Sequence, residues 1–212
     1  MKVIDLTHTI KADMPVYPGT EPPTLLQANT IEKDLFKETK LSMYSHTGTH
    51  IDPPAHIIKG ALTLDKFPAS QFVGRALVID CSDADDGSLI GMEYLERYKD
   101  KIDSAEFLLF YFGYDKKWGT EGYFGNFPCI DHDVLEHIIN GNYKGIGFDV
   151  ISLDPIDCLD RHTELFSKKN MINIENLNNL GQCGSDLFTL VCLPLKWEDA
   201  DGAPARAIAM IE

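Results

Sequence analysis

Three of the seven histidines of the chain fall between positions 46 and 56, together with one carboxylate. The segment reads Ser45-His46-Thr-Gly-Thr-His50-Ile-Asp52-Pro-Pro-Ala-His56. Imidazole nitrogen and carboxylate oxygen are the ligand types that zinc, manganese and iron accept in hydrolytic sites. The composition of this segment therefore predicts a divalent-metal site.

The backbone of the segment must bring these side chains together. A continuous helix is a poor host, because the Thr-Gly-Thr triplet has low helix propensity and Pro53 biases Asp52 away from helical conformation. At the end of a strand, alternate residues point to one side, and a bend at Gly48 would bring His46 and His50 close enough to share an ion. Hydrogen-bonded structural histidines in a turn-rich segment are the alternative, which the close spacing disfavours.

A second pair of metal-ligand types lies downstream. His162 falls in a stretch that predicts a short helix, and Glu175 falls on the turn or strand that follows. A hydrolytic metal site usually needs more ligands than one loop supplies. The pair could complete the site, although His162 on a helix surface and a solvated Glu175 remain the alternative.

The other histidines and the aromatic residues are given structural roles. We expect His8, on an N-terminal strand, and His132 and His137, on a helix, to be caps, surface residues or satisfied hydrogen-bonding groups. A run of aromatic residues could form one wall for a planar substrate, but ordinary packing is the favoured interpretation. The run comprises Tyr111, Phe112, Tyr114, Trp118, Tyr123 and Phe124.

Hydrophobic patterning predicts the elements that position these residues. Strands are expected at 2–10, 38–46, 75–81, 107–112, 145–150, 188–195 and 205–211. Helices are expected at 91–102, 131–140 and 160–168, and the prolines at 14–23 predict a loop. Strands and helices interleave, which indicates the α/β class. Nothing marks a domain boundary, so residues 1–212 are taken as a single domain.

Composition excludes several classes of partner. The net charge is -14, from 33 acidic against 19 basic residues, and no Lys/Arg stripe is present, so nucleic acid is an unexpected ligand. Neither a signal peptide nor an apolar run of membrane-spanning length is evident, so no membrane partner and a cytoplasmic location are expected. The odd number of cysteines without C-x-x-C spacing predicts buried free thiols. They are Cys81, Cys129, Cys158, Cys183 and Cys192.

The pattern His46-x-Gly-Thr-His50-x-Asp52-x-Pro-x-His56 resembles the signature of the putative cyclase family, which includes bacterial kynurenine formamidases and isatin hydrolases. Weaker matches run along the whole chain. They are Met14-Pro-Val-Tyr-Pro-Gly, Gly113-Tyr-Asp-Lys-Lys-Trp-Gly, Gly147-Phe-Asp-Val-Ile-Ser-Leu-Asp-Pro, Ile174-Glu175-Asn-Leu, Leu193-Pro-Leu-Lys and Gly202-Ala-Pro-Ala-Arg206. The resemblance implies a swivelling β/β/α fold, with a barrel-like sheet packed against helices, assembled into homodimers or homotetramers.

The resemblance also implies a role for each candidate residue. His46, His50 and Asp52 would hold a first metal, and Asp52 would bridge to a second metal held by His162 and Glu175. His56 would be the acid/base that moves a proton to the departing amine. Two Zn²⁺ per chain are implied, with Mn²⁺ as the alternative.

The implied activity is hydrolysis of an amide or formamide bond in a small aromatic substrate, such as N-formylkynurenine to kynurenine and formate. One alternative is isatin hydrolase-like opening of a cyclic amide with a single manganese. Another, of a different class, is a non-catalytic metal-binding or ligand-binding module.

The chain departs from the formamidases at positions that are expected to shape the substrate pocket. Tyr17 stands where they carry Trp, Thr20 stands where they carry Asp, and Phe112-Gly113-Tyr114 replaces a frequent Thr-Gly-Trp. Tyr17 is therefore expected to contact the substrate, and these departures bear on the substrate and not on the metal site.

Overall fold

The computed structural model describes residues 1–212. The strands are β1 (Lys2–Asp5), β2 (Thr24–Asn29), β3 (Glu38–Ser42), β4 (His50–Asp52), β5 (Val73–Asp80), β6 (Leu89–Ile90), β7 (Phe107–Tyr111), β8 (Cys129–Ile130), β9 (Gly145–Phe148), β10 (Ile172–Glu175), β11 (Phe188–Pro194) and β12 (Ala203–Ile211). The α-helices are α1 (Ile31–Asp34), α2 (Met92–Glu96), α3 (His132–Asn140) and α4 (Asp160–Lys168). None of the helices has the length and apolar character needed to cross a membrane.

Seven strands of the main sheet close into a ring. Their order is β12, β11, β5, β7, β9, β10 and β4, and β4 pairs again with β12. The long strand β12 makes this closure possible, because β11 occupies one of its edges and two strands share the other. On that shared edge β4 pairs at Ala203 and Pro204, and β1 pairs along 208–211. The α/β class and the barrel-like sheet packed with helices are therefore confirmed.

The two faces of the ring carry separate hydrophobic clusters. Along β5, Leu77 and Ile79 belong to one cluster, whereas Ala76 and Val78 belong to the other, as the alternation of a strand requires. Helices α3 and α4 contribute to the first cluster only. The sheet therefore has one helix-covered face and one face that packs without α-helices.

The strands β5, β7, β9 and β10 run parallel, and α2, α3 and α4 lie in the connections between them. Helix α3 begins where expected, with the Asp131 side chain accepting a hydrogen bond from the backbone N–H of Val134 at 2.8 Å. Helix α4 coincides with the predicted 160–168. The connection from β9 to α4 passes over the carboxyl end of the parallel strands, which is where ligand sites form in such sheets.

Several predicted elements were wrong in extent. The strand expected at 38–46 ends at Ser42, and β1 ends at Asp5, well before position 10. The helix expected at 91–102 ends at Glu96, after which tighter turns such as Lys101 N–H to Tyr98 O carry the chain to a 3-10 segment at Ile102–Ser104. Strand β2, and so its pairing with β3, was missed.

The cysteine prediction holds with one difference. All five thiols are free, and four are buried, but Cys158 is partly exposed. Most of the aromatic run packs in or against the core: Tyr111, Phe112, Tyr114 and Tyr123 are buried, Trp118 is partly buried, and Phe124 is exposed.

Candidate metal centre

The antiparallel pair of β4 and β10 positions four polar side chains side by side. In its register Asp52 lies opposite Asn173, and His50 lies opposite Glu175. The intervening pair, Ile51 with Ile174, points to the other face and is fully buried in the core. Two short stretches that are far apart in sequence thus present their polar residues on one face.

The bend expected at Gly48 is present. Its φ is +66°, and a Cβ there would lie 3.1 Å from the Met14 side chain, so glycine suits both the backbone and the space. The Gly48 carbonyl accepts a hydrogen bond from His50 Nδ1 at 2.8 Å. This bond places the proton of His50 on Nδ1 and leaves Nε2 free as a ligand atom.

One oxygen of Asp52 faces His46 and His50. These three residues are called the first cluster, a group of potential metal ligands. Asp52 Oδ1 lies 2.7 Å from His46 Nδ1 and 3.1 Å from His50 Nε2. The ligand atoms of these three residues all lie within 4.8 Å of one another. This spacing suits a shared cation.

The other oxygen of Asp52 faces His162 and Glu175. These three residues are called the second cluster. His162 Nε2 lies 3.8 Å from Asp52 Oδ2 and 3.3 Å from Glu175 Oε1. These three ligand atoms also lie within 4.8 Å of one another, and all three residues are buried. Asp52 therefore presents one carboxylate oxygen to each cluster, as a residue bridging two cations would.

The charges of the site fit cations. Burial opposes ionisation of Asp52, but the electrostatic interaction with His50 and hydrogen bonds from the neighbouring imidazoles hold its pKa well below the ordinary value. Burial by itself would lower the pKa of His46, but the carboxylates of Asp201 and Asp52, the latter hydrogen-bonded to Nδ1, raise it to about 10. In a cation-free site, imidazole protons thus balance the buried carboxylate, and a divalent cation would take their place.

His162 is oriented by a carboxylate that does not face the clusters. Asp154 Oδ2 accepts hydrogen bonds from His162 Nδ1 at 2.8 Å and from the His162 backbone N–H at 3.0 Å. Although burial disfavours the charged imidazole, the hydrogen bond to Asp154 and the nearby carboxylates of Asp52 and Glu175 raise the pKa of His162 well above its ordinary value. The arrangement turns Nε2 toward Asp52 and Glu175.

His56 lies next to the first cluster, and its imidazole makes no hydrogen bond to a carboxylate. It ends the 3-10 turn Pro54–His56, and its ring centroid is 3.9 Å from that of His46. Burial is the main cause that lowers the pKa of His56 to about 4. Its imidazole is therefore neutral at pH 7 and can accept a proton.

The clusters open into a cavity of about 670 Å³. Tyr17 forms part of its wall, and the Tyr17 hydroxyl accepts a hydrogen bond from the backbone N–H of Asp157 at 3.1 Å. The aromatic run from Tyr111 to Phe124 contributes no residue to this wall, so the alternative that it flanks a substrate was wrong. The wall consists of Pro15, Val16, Tyr17, Thr20, Tyr44, Ser45, His46, Gly48, His50, His56, Ile57, Ile151, Ser152, Asp157, Leu159, His162, Glu175, Asn176 and Asp201.

The structure brings all the sequence-predicted site residues together. All but Asp52 line this cavity, and Asp52 is buried between the two clusters. The structure also adds residues that sequence reasoning missed: Asp154, Asn173 and Asp201, whose Oδ2 lies 3.4 Å from His46 Nε2. Of these three, Asn173 could have been recognised from the sequence, because residues two apart on a strand point to the same face and Asn173 precedes Glu175 by two.

The expectation for His8 was wrong. The residue lies beyond β1, is buried, and stacks on Trp118 with the ring centroids 3.9 Å apart, while its Nε2 has no hydrogen-bond partner. The other two histidines behave as expected, since His132 is exposed at the start of α3 and His137 hydrogen-bonds to the Tyr143 hydroxyl at 3.1 Å.

Comparison with known proteins assigns the family. A family model described as putative cyclase matches residues 4–155. The chain belongs to the putative cyclase family. It is 34% identical to an uncharacterized protein of Methanocaldococcus jannaschii, with both chains covered in full. It is 31% identical to a kynurenine formamidase of Bacillus thuringiensis, over 97% of this chain and 95% of that protein.

Solved structures of related proteins agree with the fold. Isatin hydrolase A from Labrenzia aggregata superposes with a TM-score of 0.89, covering 99% of this chain and 93% of that one at 24% identity.

Proposed function

We propose that this cyclase-family protein is a metal-dependent hydrolase that cleaves an amide or formamide bond in a small aromatic compound. The observation that carries the proposal is the position of Asp52, which directs Oδ1 to His46 and His50 and Oδ2 to His162. This double cluster opens into a cavity beside a neutral imidazole. The names of the formamidase and isatin hydrolase relatives support the same bond type.

The residues of the two clusters would bind the cations. His46, His50 and Asp52 would hold one cation, and Asp52, His162 and Glu175 would hold a second. Cations bound there supply two things, a lowered pKa for a bound water and polarisation of a carbonyl oxygen. We take Zn²⁺ as the expected ion and Mn²⁺ as the alternative, because both accept imidazole and carboxylate ligands.

His56 moves the proton. Its ring is neutral, lines the cavity and lies against His46, so it can accept a proton at an imidazole nitrogen and pass that proton to the departing amine. Tyr17, fixed by its hydrogen bond to the Asp157 backbone, contacts the aromatic part of the substrate in the same cavity.

An N-formyl aromatic amine such as N-formylkynurenine is the proposed substrate. A cavity of about 670 Å³ is in the range of sites that enclose ligands of drug size. Opening of a cyclic amide of the isatin type with one manganese is the second candidate, which the fold similarity to isatin hydrolase A favours.

The test of the enzyme assignment is the His56→Ala variant. A proton-transfer role predicts that hydrolysis falls by about 10²- to 10⁴-fold, with bound metal unchanged. A non-catalytic binding module predicts no turnover in the wild type and unchanged ligand binding in the variant. Wild-type hydrolysis that survives the substitution would remove the role of His56.

The number of cations is tested at Glu175. In a two-cation site, Glu175→Ala should lower bound metal by about one ion per chain, because this carboxylate has a ligand role only in the second cluster. In a one-cation site, metal content and turnover should both be retained.

We also propose that the protein forms a homodimer through the hairpin of β2, α1 and β3. No residue of these elements is buried, and the large apolar side chains of the hairpin and its flanks are exposed. An isolated two-stranded hairpin is marginally stable, so it needs a surface to pack on. The exposed apolar residues are Leu25, Leu26, Ile31, Leu35, Phe36, Leu41 and Tyr44.

Charge favours a second copy of this chain as the partner of the hairpin. Residues 24–44 carry three acidic and three basic residues, whereas the whole chain has a net charge of -14. Two equally acidic molecules repel each other least at such a neutral surface. Tyr44 also lines the cavity, so the proposed interface adjoins its mouth.

A further inference from the structure

Asn173 lies at the centre of the second cluster. The residue is fully buried, and its Nδ2 is 3.0 Å from Asp52 Oδ2, 2.9 Å from Glu175 Oε1 and 3.4 Å from His162 Nε2. These are the three ligand atoms of the second cluster. The other atom of the carboxamide, Oδ1, is buried and has no hydrogen-bond partner.

The four atoms have the separations of a tetrahedral coordination shell. Zinc in such a shell binds nitrogen and oxygen at about 2.0–2.1 Å, which places neighbouring ligand atoms about 3.3 Å apart. Five of the six separations run from 2.9 Å, between Asn173 Nδ2 and Glu175 Oε1, to 3.8 Å, between His162 Nε2 and Asp52 Oδ2. The sixth, between the carboxylate oxygens of Asp52 and Glu175, lies within 4.8 Å. The Asn173 amide therefore occupies the position of a fourth ligand.

Without a cation, the amide has a reason to turn its nitrogen inward. An N–H₂ group donates to two carboxylates, whereas an oxygen in that position would be repelled by them. Rotation of the carboxamide by 180° exchanges Nδ2 and Oδ1, and no hydrogen bond of Oδ1 is lost because it makes none. With a cation between the four groups, the amide oxygen is the atom that binds.

We propose that Asn173 is the fourth protein ligand of the second cation, bound through Oδ1 after this rotation. The inference rests on the proposed function, because it requires the second cluster to hold a cation. The proposal also gives the two cation sites different numbers of protein ligands. Four protein ligands close the second site, as in structural sites, whereas three at the first cluster leave a position for water or substrate.

The test is a titration of chelator-treated protein with Co²⁺, comparing wild type, Asn173→Ala and Asn173→Asp. Cobalt absorbs visible light strongly when four-coordinate and weakly when six-coordinate, and mass spectrometry counts the ions retained. The wild type should bind a second equivalent with strong absorption. Asn173→Ala should bind the first equivalent normally and the second about 100-fold or more weakly, since even residues outside the ligand set cost 10- to 100-fold.

Asn173→Asp distinguishes a ligand from a hydrogen-bond donor. Aspartate has a ligand oxygen but cannot donate from a carboxylate, so the second equivalent and its strong absorption should return. If Asn173→Ala binds the second ion like the wild type, or Asn173→Asp is as weak as Asn173→Ala, Asn173 is not a ligand and the two-cation site stands without it. A wild type that binds one ion overturns this assignment and the second cation, while the one-cation form of the proposed hydrolase stands. A wild type that binds none overturns the proposed metal centre as well.

Discussion

Gly202 packs against the imidazole of His46 so closely that a Cβ at position 202 would lie 2.3 Å from Cε1 and 2.5 Å from Nε2. His46 cannot easily move away, because its Nδ1 is held 2.7 Å from Asp52 Oδ1. The loop before β12 therefore fixes one edge of the first cluster.

The Gly202→Ala variant should displace the His46 ring and weaken binding at the first cluster by about 10- to 100-fold. Isothermal titration with Zn²⁺ measures the effect. Gly122→Ala is the control, because a Cβ there meets its nearest atom at 3.6 Å and lies away from the cavity. Equal zinc affinity in wild type and Gly202→Ala would show that His46 is not a ligand in this position.

The Asp154→Asn variant should loosen the orientation of His162. Asp154 Oδ2 accepts from His162 Nδ1 and the His162 backbone N–H, while Oδ1 accepts from the backbone N–H and the guanidinium of Arg161. Asparagine has one acceptor oxygen, so it cannot serve both residues. We expect about 10- to 100-fold weaker binding of the second cation, measured by competition with a chromogenic chelator. Asp160→Asn, at an exposed residue of the same helix, should retain wild-type affinity. Unchanged affinity in Asp154→Asn would contradict the orienting role.

Burial of His8 predicts a pH dependence of stability. Burial lowers the pKa of His8 to about 4, below the value of about 6.5 in an unfolded chain. The unfolded state therefore binds the proton first, so stability present above pH 6.5 is lost as the pH falls toward 4. The loss attributable to one such group is at most about 3 kcal/mol.

His8→Phe keeps an aromatic ring against Trp118 and removes the titrating group. Urea unfolding at several pH values between 4 and 7 should give a shallower decline for the variant than for the wild type. Parallel declines would mean that His8 accepts a proton without unfolding the protein.

The proposed dimer is tested at Leu26 on β2. Its side chain is 58% exposed in the single chain, and Leu89 on β6 provides a matched control at 60%. We expect Leu26→Glu to weaken the dimer by at least about tenfold, the effect of about 1.4 kcal/mol, because it places charge in an apolar interface. Leu89→Glu should leave the dimer intact. Light scattering over a dilution series measures both, and a monomeric wild type would refute the dimer.

The sequence identified most of the residues that cluster at the candidate site, but fewer of the residues that surround them. The metal-ligand residues between His46 and His56 were recognised because they lie close together in the sequence. The bend at Gly48 was predicted from backbone preferences. His162 and Glu175 could be proposed only as a loose pair, because a strand register created by folding brings Glu175 beside His50. Asp154 was not recognised, because its role depends on the packing of α4 against the loop after β9.

The fold class followed from alternating strands and helices, but the closure of the ring did not. That closure depends on β4, only three residues long, pairing with both β10 and β12. Periodicity cannot detect a strand this short. Strand β2 escaped detection because it is exposed on both faces and so lacks the alternation of a half-buried strand, whereas β3 falls within the strand expected at 38–46.

The central claim is that cations at the Asp52 clusters support amide hydrolysis. The most direct measurement is metal content per chain on protein purified without chelators, with hydrolysis of N-formylkynurenine and of isatin assayed on the same sample. We predict about two ions per chain and formamide cleavage that is lost on chelator treatment and restored by Zn²⁺. Failure to bind any divalent metal after reconstitution, or cleavage that persists after complete metal removal, would contradict the account.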